Sequence, residues 1–109
     1  MSRHFIDCEL HCSVRVRLGY DQSQKEFFLD VEHIGAIAEQ GYSRYLYSST
    51  RDLFDRADDL EYYEERLAKL GLVVPREMYQ AVQDDAAQRV GDRCVQYFAD
   101  GRKVEPATD

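Results

Sequence analysis

The chain has 109 residues, 44% of them hydrophobic and 32% charged, which suits a single folded domain with one modest core. Fourteen Lys and Arg against 21 Asp and Glu leave a net charge of −7 and a pI near 4.9. So acidic a chain is a poor match for phosphate backbones, and direct nucleic-acid binding is disfavoured. No run approaches the roughly 18 apolar residues of a membrane span, the N-terminus lacks a secretory pattern, and three cysteines close no disulfide framework, so a cytoplasmic protein is expected.

Residues 5–18 alternate strictly. Ile6, Cys8, Leu10, Cys12, Val14, Val16 and Leu18 fall on one face, with Phe5, Asp7, Glu9, His11, Ser13, Arg15 and Arg17 on the other. Period two marks a strand with one wet face, and the length of the run calls for a bulge or bend inside it. Residues 19–24 read as a turn, and Lys25–Val31 resumes as a strand, so the two most simply form an antiparallel hairpin. Asp30 can cap a short helix carrying Val31, Ile34, Ile37 and Ala38, with Gly41 as its stop. Residues 42–48 fit a third strand by alternation and equally fit the first turns of the next helix.

Ser49 with Asp52 resembles a weak capping box. Beyond it Leu53, Ala57, Leu60, Leu67 and Leu70 share a helical face that Gly71 ends. Pro75 suits the first position of a last helix, in which Met78, Val82, Ala86, Val90 and Cys94 follow at four-residue steps, then Tyr97 and Phe98, closed by Gly101. Gly91 inside it would cost about 1 kcal/mol relative to Ala. The expected architecture is α+β: an N-terminal antiparallel hairpin or three-stranded sheet packed against two longer C-terminal helices, with one short helix between. Residues 1–101 form this domain, and 102–109 read as a flexible tail.

His4, Cys8, His11 and Cys12 are all zinc-ligand types. On a strand, however, Cys8 and Cys12 stand about 13 Å apart and His11 points away from both. They read as buried thiols on the inner face of the sheet, and no metal or other cofactor is expected. No nucleophile elbow, phosphate loop or dinucleotide fingerprint occurs, so no catalytic residues are assigned and a non-enzymatic role is expected.

Charge is unevenly spread. Between positions 52 and 65, Asp52, Asp55, Asp58, Asp59, Glu61, Glu64 and Glu65 face one base, Arg56. At about 100° per residue, Asp55, Asp58, Asp59, Tyr62 and Glu65 gather opposite the leucine stripe. Asp84, Asp85 and Asp92 are placed to extend the negative surface. A solvated helix face is the plain reading of such a run. Yet the like-charge pairs at i,i+3 and i,i+4 each cost a few tenths of a kcal/mol, which points to a use other than helix stability. That use is docking on a basic partner under electrostatic steering. Tyrosine is amphipathic and favoured at interfaces, and Tyr62 is the best placed of the eight.

A small domain with Asp52, Asp55, Asp58, Asp59, Glu61, Tyr62, Glu64 and Glu65 concentrated on one helix resembles the acidic inhibitor proteins of phages and mobile elements, the anti-CRISPR and anti-restriction types. The resemblance is to a class without a shared motif and covers about an eighth of the chain. It implies a protein that occupies the basic nucleic-acid-binding groove of a host defence complex. Asp52, Asp55, Asp58, Asp59, Glu61, Tyr62 and Glu65 would be its partner-binding residues. The alternative is a structural subunit or adaptor that binds through the sheet edge or the C-terminal helix, as a monomer or a homodimer.

Overall fold

The computed structural model describes residues 1–9, 13–34, 45–49 and 60–109. They form β1 (Ser2–Glu9), β2 (Ser13–Asp21), β3 (Glu26–His33), β4 (Tyr45–Ser48), α1 (Leu60–Lys69), α2 (Arg76–Gln88), β5 (Arg93–Tyr97) and β6 (Lys103–Val104). All six strands join one sheet in the order β4-β3-β2-β1-β5-β6. Neighbours are antiparallel except β1 and β5, which run parallel. A parallel neighbour needs a long crossover, and the stretch carrying α1 and α2 supplies it.

The long alternating run is two strands rather than one bent strand. In the β1–β2 hairpin Ile6 faces Val16 and Cys8 faces Val14, so every residue pairs with one of the same parity. The alternation of β1 and that of β2 are therefore in phase, which is why the run reads as continuous. The β2–β3 turn is built by Asp21, whose Oδ1 accepts from the backbone N–H and hydroxyl of Ser23. Lys25 follows in the left-handed region at φ 55°. At Gly19 the strands approach closely: a Cβ there would sit 2.1 Å from the Ser2 carbonyl oxygen and 2.5 Å from the ring of Phe28, its cross-strand partner.

The α+β class holds, but three strands with three helices does not describe the chain. The short helix expected from Asp30 does not start there, because residues 30–33 belong to β3. Val31 pairs with Val16 and with Tyr47, and Asp30 accepts a hydrogen bond from the Ser48 hydroxyl instead of capping a helix. The remainder of that stretch, 35–41, lies outside the described residues. Of the stretch left open between strand and helix, Tyr45–Ser48 is strand.

The last helix is also shorter than expected. It ends at Gln88, where Arg89 turns left-handed at φ 53° and the Val90 N–H returns to the Asp85 carbonyl. Beyond Gly91 the chain runs as β5. Cys94, Tyr97 and Phe98 do fit helical spacing. Val95 and Tyr97 fit period two as well, and the open edge of β1 offers a row of backbone partners that helix propensity cannot match. Residues 102–109, expected as a tail, carry β6 and several contacts to the sheet.

Both helices cover one face of the sheet. Leu60, Tyr63 and Leu67 of α1 and Met78, Tyr79 and Val82 of α2 pack with Ile6, Val14, Val16, Leu18, Leu29, Val31, Val95 and Tyr97. Gly71, at φ 78°, ends α1, and the Leu72 N–H reaches back to the Leu67 carbonyl. The Tyr63 hydroxyl donates to the Phe27 carbonyl at 3.2 Å and ties α1 to β3.

Candidate functional site

Of the expected partner-binding residues, Asp52, Asp55, Asp58 and Asp59 lie outside the described residues. Glu61, Tyr62 and Glu65 are on α1. With Leu60, Tyr63 and Leu67 turned into the core, a step of about 100° per residue swings Glu61 and Glu65 outward, one turn apart. Both are exposed, and among the described residues neither has an ion-pair partner. Glu64 differs, because Arg76 at the start of α2 donates to it at 2.8 Å.

Tyr62 is half-buried at the boundary between core and surface. Its ring stands edge-on to Tyr63 with centroids 5.8 Å apart. Its hydroxyl accepts from Arg66 Nη2 at 2.6 Å, and the Arg66 guanidinium lies 4.9 Å from the ring centroid. Asp84 also faces solvent and accepts from Gln80 at 3.0 Å.

Asp85 does not extend the negative surface. It is 1% exposed and belongs to a polar chain inside the fold. His4 Nε2 lies 2.6 Å from Asp85 Oδ2, and His4 Nδ1 lies 2.8 Å from the Tyr97 hydroxyl. Arg93 Nη1 donates to Asp85 Oδ1 at 2.7 Å, while its Nε and Nη2 clasp Glu105 at 2.6 and 2.9 Å.

Burial pushes the Asp85 carboxyl up, but hydrogen bonds from His4 and Arg93 outweigh it and hold it below the usual range. Asp85 is therefore an acceptor only, so the proton sits on His4 Nε2 and Nδ1 accepts from Tyr97. Burial lowers the pKa of His4 despite its carboxylate neighbour and keeps the imidazole neutral.

Tyr, His and Asp in series are the residue types of a proton relay. Here the terminal hydroxyl is nearly inaccessible and burial pushes it up to about 12, the opposite of what a nucleophile needs. The arrangement fastens α2 to β1 and β5. The sequence carried a signal for it, since Asp85 stands three residues after Val82 and seven after Met78, on the apolar stripe.

Of the metal-type residues, His4 and Cys8 are described. His4 points inward and is used by the polar chain, and Cys8 is half-buried against the core with its thiol pushed up by burial. His11 and Cys12 lie outside the described residues. Among those described, no group of three or more His, Cys, Asp and Glu side chains could hold a metal ion, and no helix is long and apolar enough to cross a membrane.

The opposite face of the sheet carries a charged grid. Arg15 holds Asp7 through two hydrogen bonds, at 2.7 and 3.1 Å, and Arg17 pairs with Glu32 at 2.9 Å. Both arginines also reach Asp109. Comparison with family models, curated proteins and solved structures finds no match for this chain.

Proposed function

We propose that this protein is a non-enzymatic acidic interaction domain that docks on a basic surface of a protein partner, in the manner of inhibitors that occupy the nucleic-acid-binding groove of a host defence complex. The observation that carries this reading is the outward pair Glu61 and Glu65 on α1, exposed and without a cation among the described residues. It stands at the end of the acidic run that begins at Asp52. Carboxylates presented this way suit Lys and Arg that otherwise hold phosphates, and Tyr62 supplies an aromatic edge beside them.

Several of the chain's own arginines are already engaged. Arg15, Arg17, Arg93 and Arg102 pair with carboxylates outside α1, and Arg76 pairs with Glu64, so none of them is held by Glu61 or Glu65. The sheet edge at β6 is two residues long and begins with a lysine, a form that discourages strand addition. That favours the acidic face over the edge as the contact.

The test is capture from host lysate by the intact protein at low and high salt, beside a variant carrying Asp55→Ser, Asp58→Ser, Asp59→Ser and Glu65→Ser. A nucleic-acid-handling complex that is retained at low salt, released at high salt and lost with the variant is expected. A partner held equally by the variant, or retained at high salt, would sink the reading in favour of an adaptor that binds through another surface.

A further inference from the structure

The segment 105–109 lies on the sheet with an anchor at each end. Glu105 is clasped by Arg93 through two hydrogen bonds at 2.6 and 2.9 Å. In the middle, the Ala107 N–H donates to the Cys94 carbonyl at 3.0 Å. At the far end the Asp109 carboxylate accepts from Arg15 Nη1 at 3.2 Å, from Arg17 Nη2 at 2.7 Å and from Arg17 Nε. The Asp109 side chain is only 7% exposed. On this face Phe5 is fully buried, with the Arg15 guanidinium 4.6 Å from its ring centroid.

The contacts made by this segment are those of peptide recognition: two carboxylates four positions apart on arginine forks, and a backbone hydrogen bond between them. The receptor does not depend on Asp109. Arg15 keeps Asp7 and Arg17 keeps Glu32, so departure of Asp109 strands no buried cation. Arg17 Nε and Arg15 Nη1 would then be open to another carboxylate.

We propose that Arg93 at the β5 edge and Arg15 with Arg17 on the helix-free face together form a docking track around that edge for an acidic peptide of a partner protein, occupied in this structure by the chain's own Glu105–Asp109 segment. The partner segment would carry two carboxylates at the Glu105–Asp109 spacing and displace the resident one. This track lies on a different surface from the α1 carboxylates and takes a partner of opposite charge.

The experiment measures binding of a fluorescent peptide, Lys-Val-Glu-Pro-Ala-Thr-Asp, to the intact protein and to Asp109→Asn. A tethered segment competes at an effective concentration in the millimolar range, so loosening it should tighten peptide binding about tenfold or more. Binding should weaken with salt and disappear in Arg17→Gln. Amide exchange on the unmodified protein supplies a second readout: added peptide should speed exchange at Ala107 while leaving Val95 unchanged. A folded Asp109→Asn protein that binds no peptide overturns the proposal. So does an Ala107 amide that opens only together with the sheet.

Discussion

His4 and Asp85 stand 81 residues apart in the chain, yet His4 Nε2 meets Asp85 Oδ2 at 2.6 Å with both side chains out of water. One lies on β1 and the other on α2, so this contact reports that the helix is seated on the sheet. Removing the Asp85 carboxylate leaves the N–H of the neutral His4 ring buried without an acceptor, at a cost of about 1–3 kcal/mol. Asp85→Ala is therefore expected to lower unfolding stability by that amount. Asp84→Ala, on the exposed side of the same turn, should stay within about 0.5 kcal/mol. Urea denaturation of the two variants separates them, and equal effects would remove the fastening role.

The same histidine makes stability depend on pH in a defined direction. Its ordinary value is 6.5, and burial lowers it in the folded protein. Above about pH 6.5 neither state binds the proton and the contribution is constant. As pH falls below 6.5 the unfolded chain protonates first, so stability drops by up to roughly 1.4 kcal/mol per pH unit until the folded value is reached. Asp85, held below its ordinary 3.8, adds a second loss at pH values below that. Denaturant midpoints between pH 8 and pH 5 should be level and then decline. A level profile down to pH 5 would show that His4 titrates alike in both states.

Gly19 is the tightest point of the hairpin. A methyl group there meets the Ser2 backbone oxygen, which cannot rotate away, and the Phe28 ring, which can. Gly19→Ala should destabilise the fold by about 1–3 kcal/mol despite alanine's better backbone entropy. Gly91→Ala, where a Cβ meets nothing within 4 Å, serves as the control and should be close to neutral. Thermal unfolding of the pair checks this.

Glu61→Gln with Glu65→Gln removes two like charges one turn apart. Stability should stay level or rise by a few tenths of a kcal/mol. Association with a basic partner should weaken and lose much of its salt dependence. Glu64→Gln removes the negative charge already paired with Arg76 and should leave association nearly unchanged. Association measured across a salt series with all three proteins distinguishes a docking face from one that is merely solvated.

The first two strands were legible because one face of each is buried and side chains alternate locally, a property the chain shows without knowing its neighbours. The break between them was not, since same-parity pairing of Ile6 with Val16 keeps the two alternations in phase. The helix carrying Leu60 and Leu67 was equally plain from its spacing, and so was its stop at Gly71, whereas Tyr63 joined its buried face without being read there. Exposure of Glu65 followed from the same geometry, which sets it opposite the leucine stripe. Asp85 was misplaced because charge was weighed ahead of position: its stripe pointed inward, but a carboxylate is buried only when partners await it, and His4 comes from a strand 81 residues away while Arg93 lies on a strand read as helix.

Composition and periodicity by themselves determined an acidic α+β domain, the hairpin of β2 with β3, the apolar stripe of α1 and the concentration of carboxylates from Asp52 onward. Each of these depends on residues close together in the chain. Tertiary structure alone decided that residues 93–97 form a strand, because the unfilled edge of β1 supplies backbone partners that no local signal announces. It alone decided that His4, Asp85, Arg93 and Tyr97 form one buried chain, and that Asp109 lies on Arg15 and Arg17. Those arrangements depend on hydrogen-bond and charge satisfaction between segments brought together only when the sheet closes.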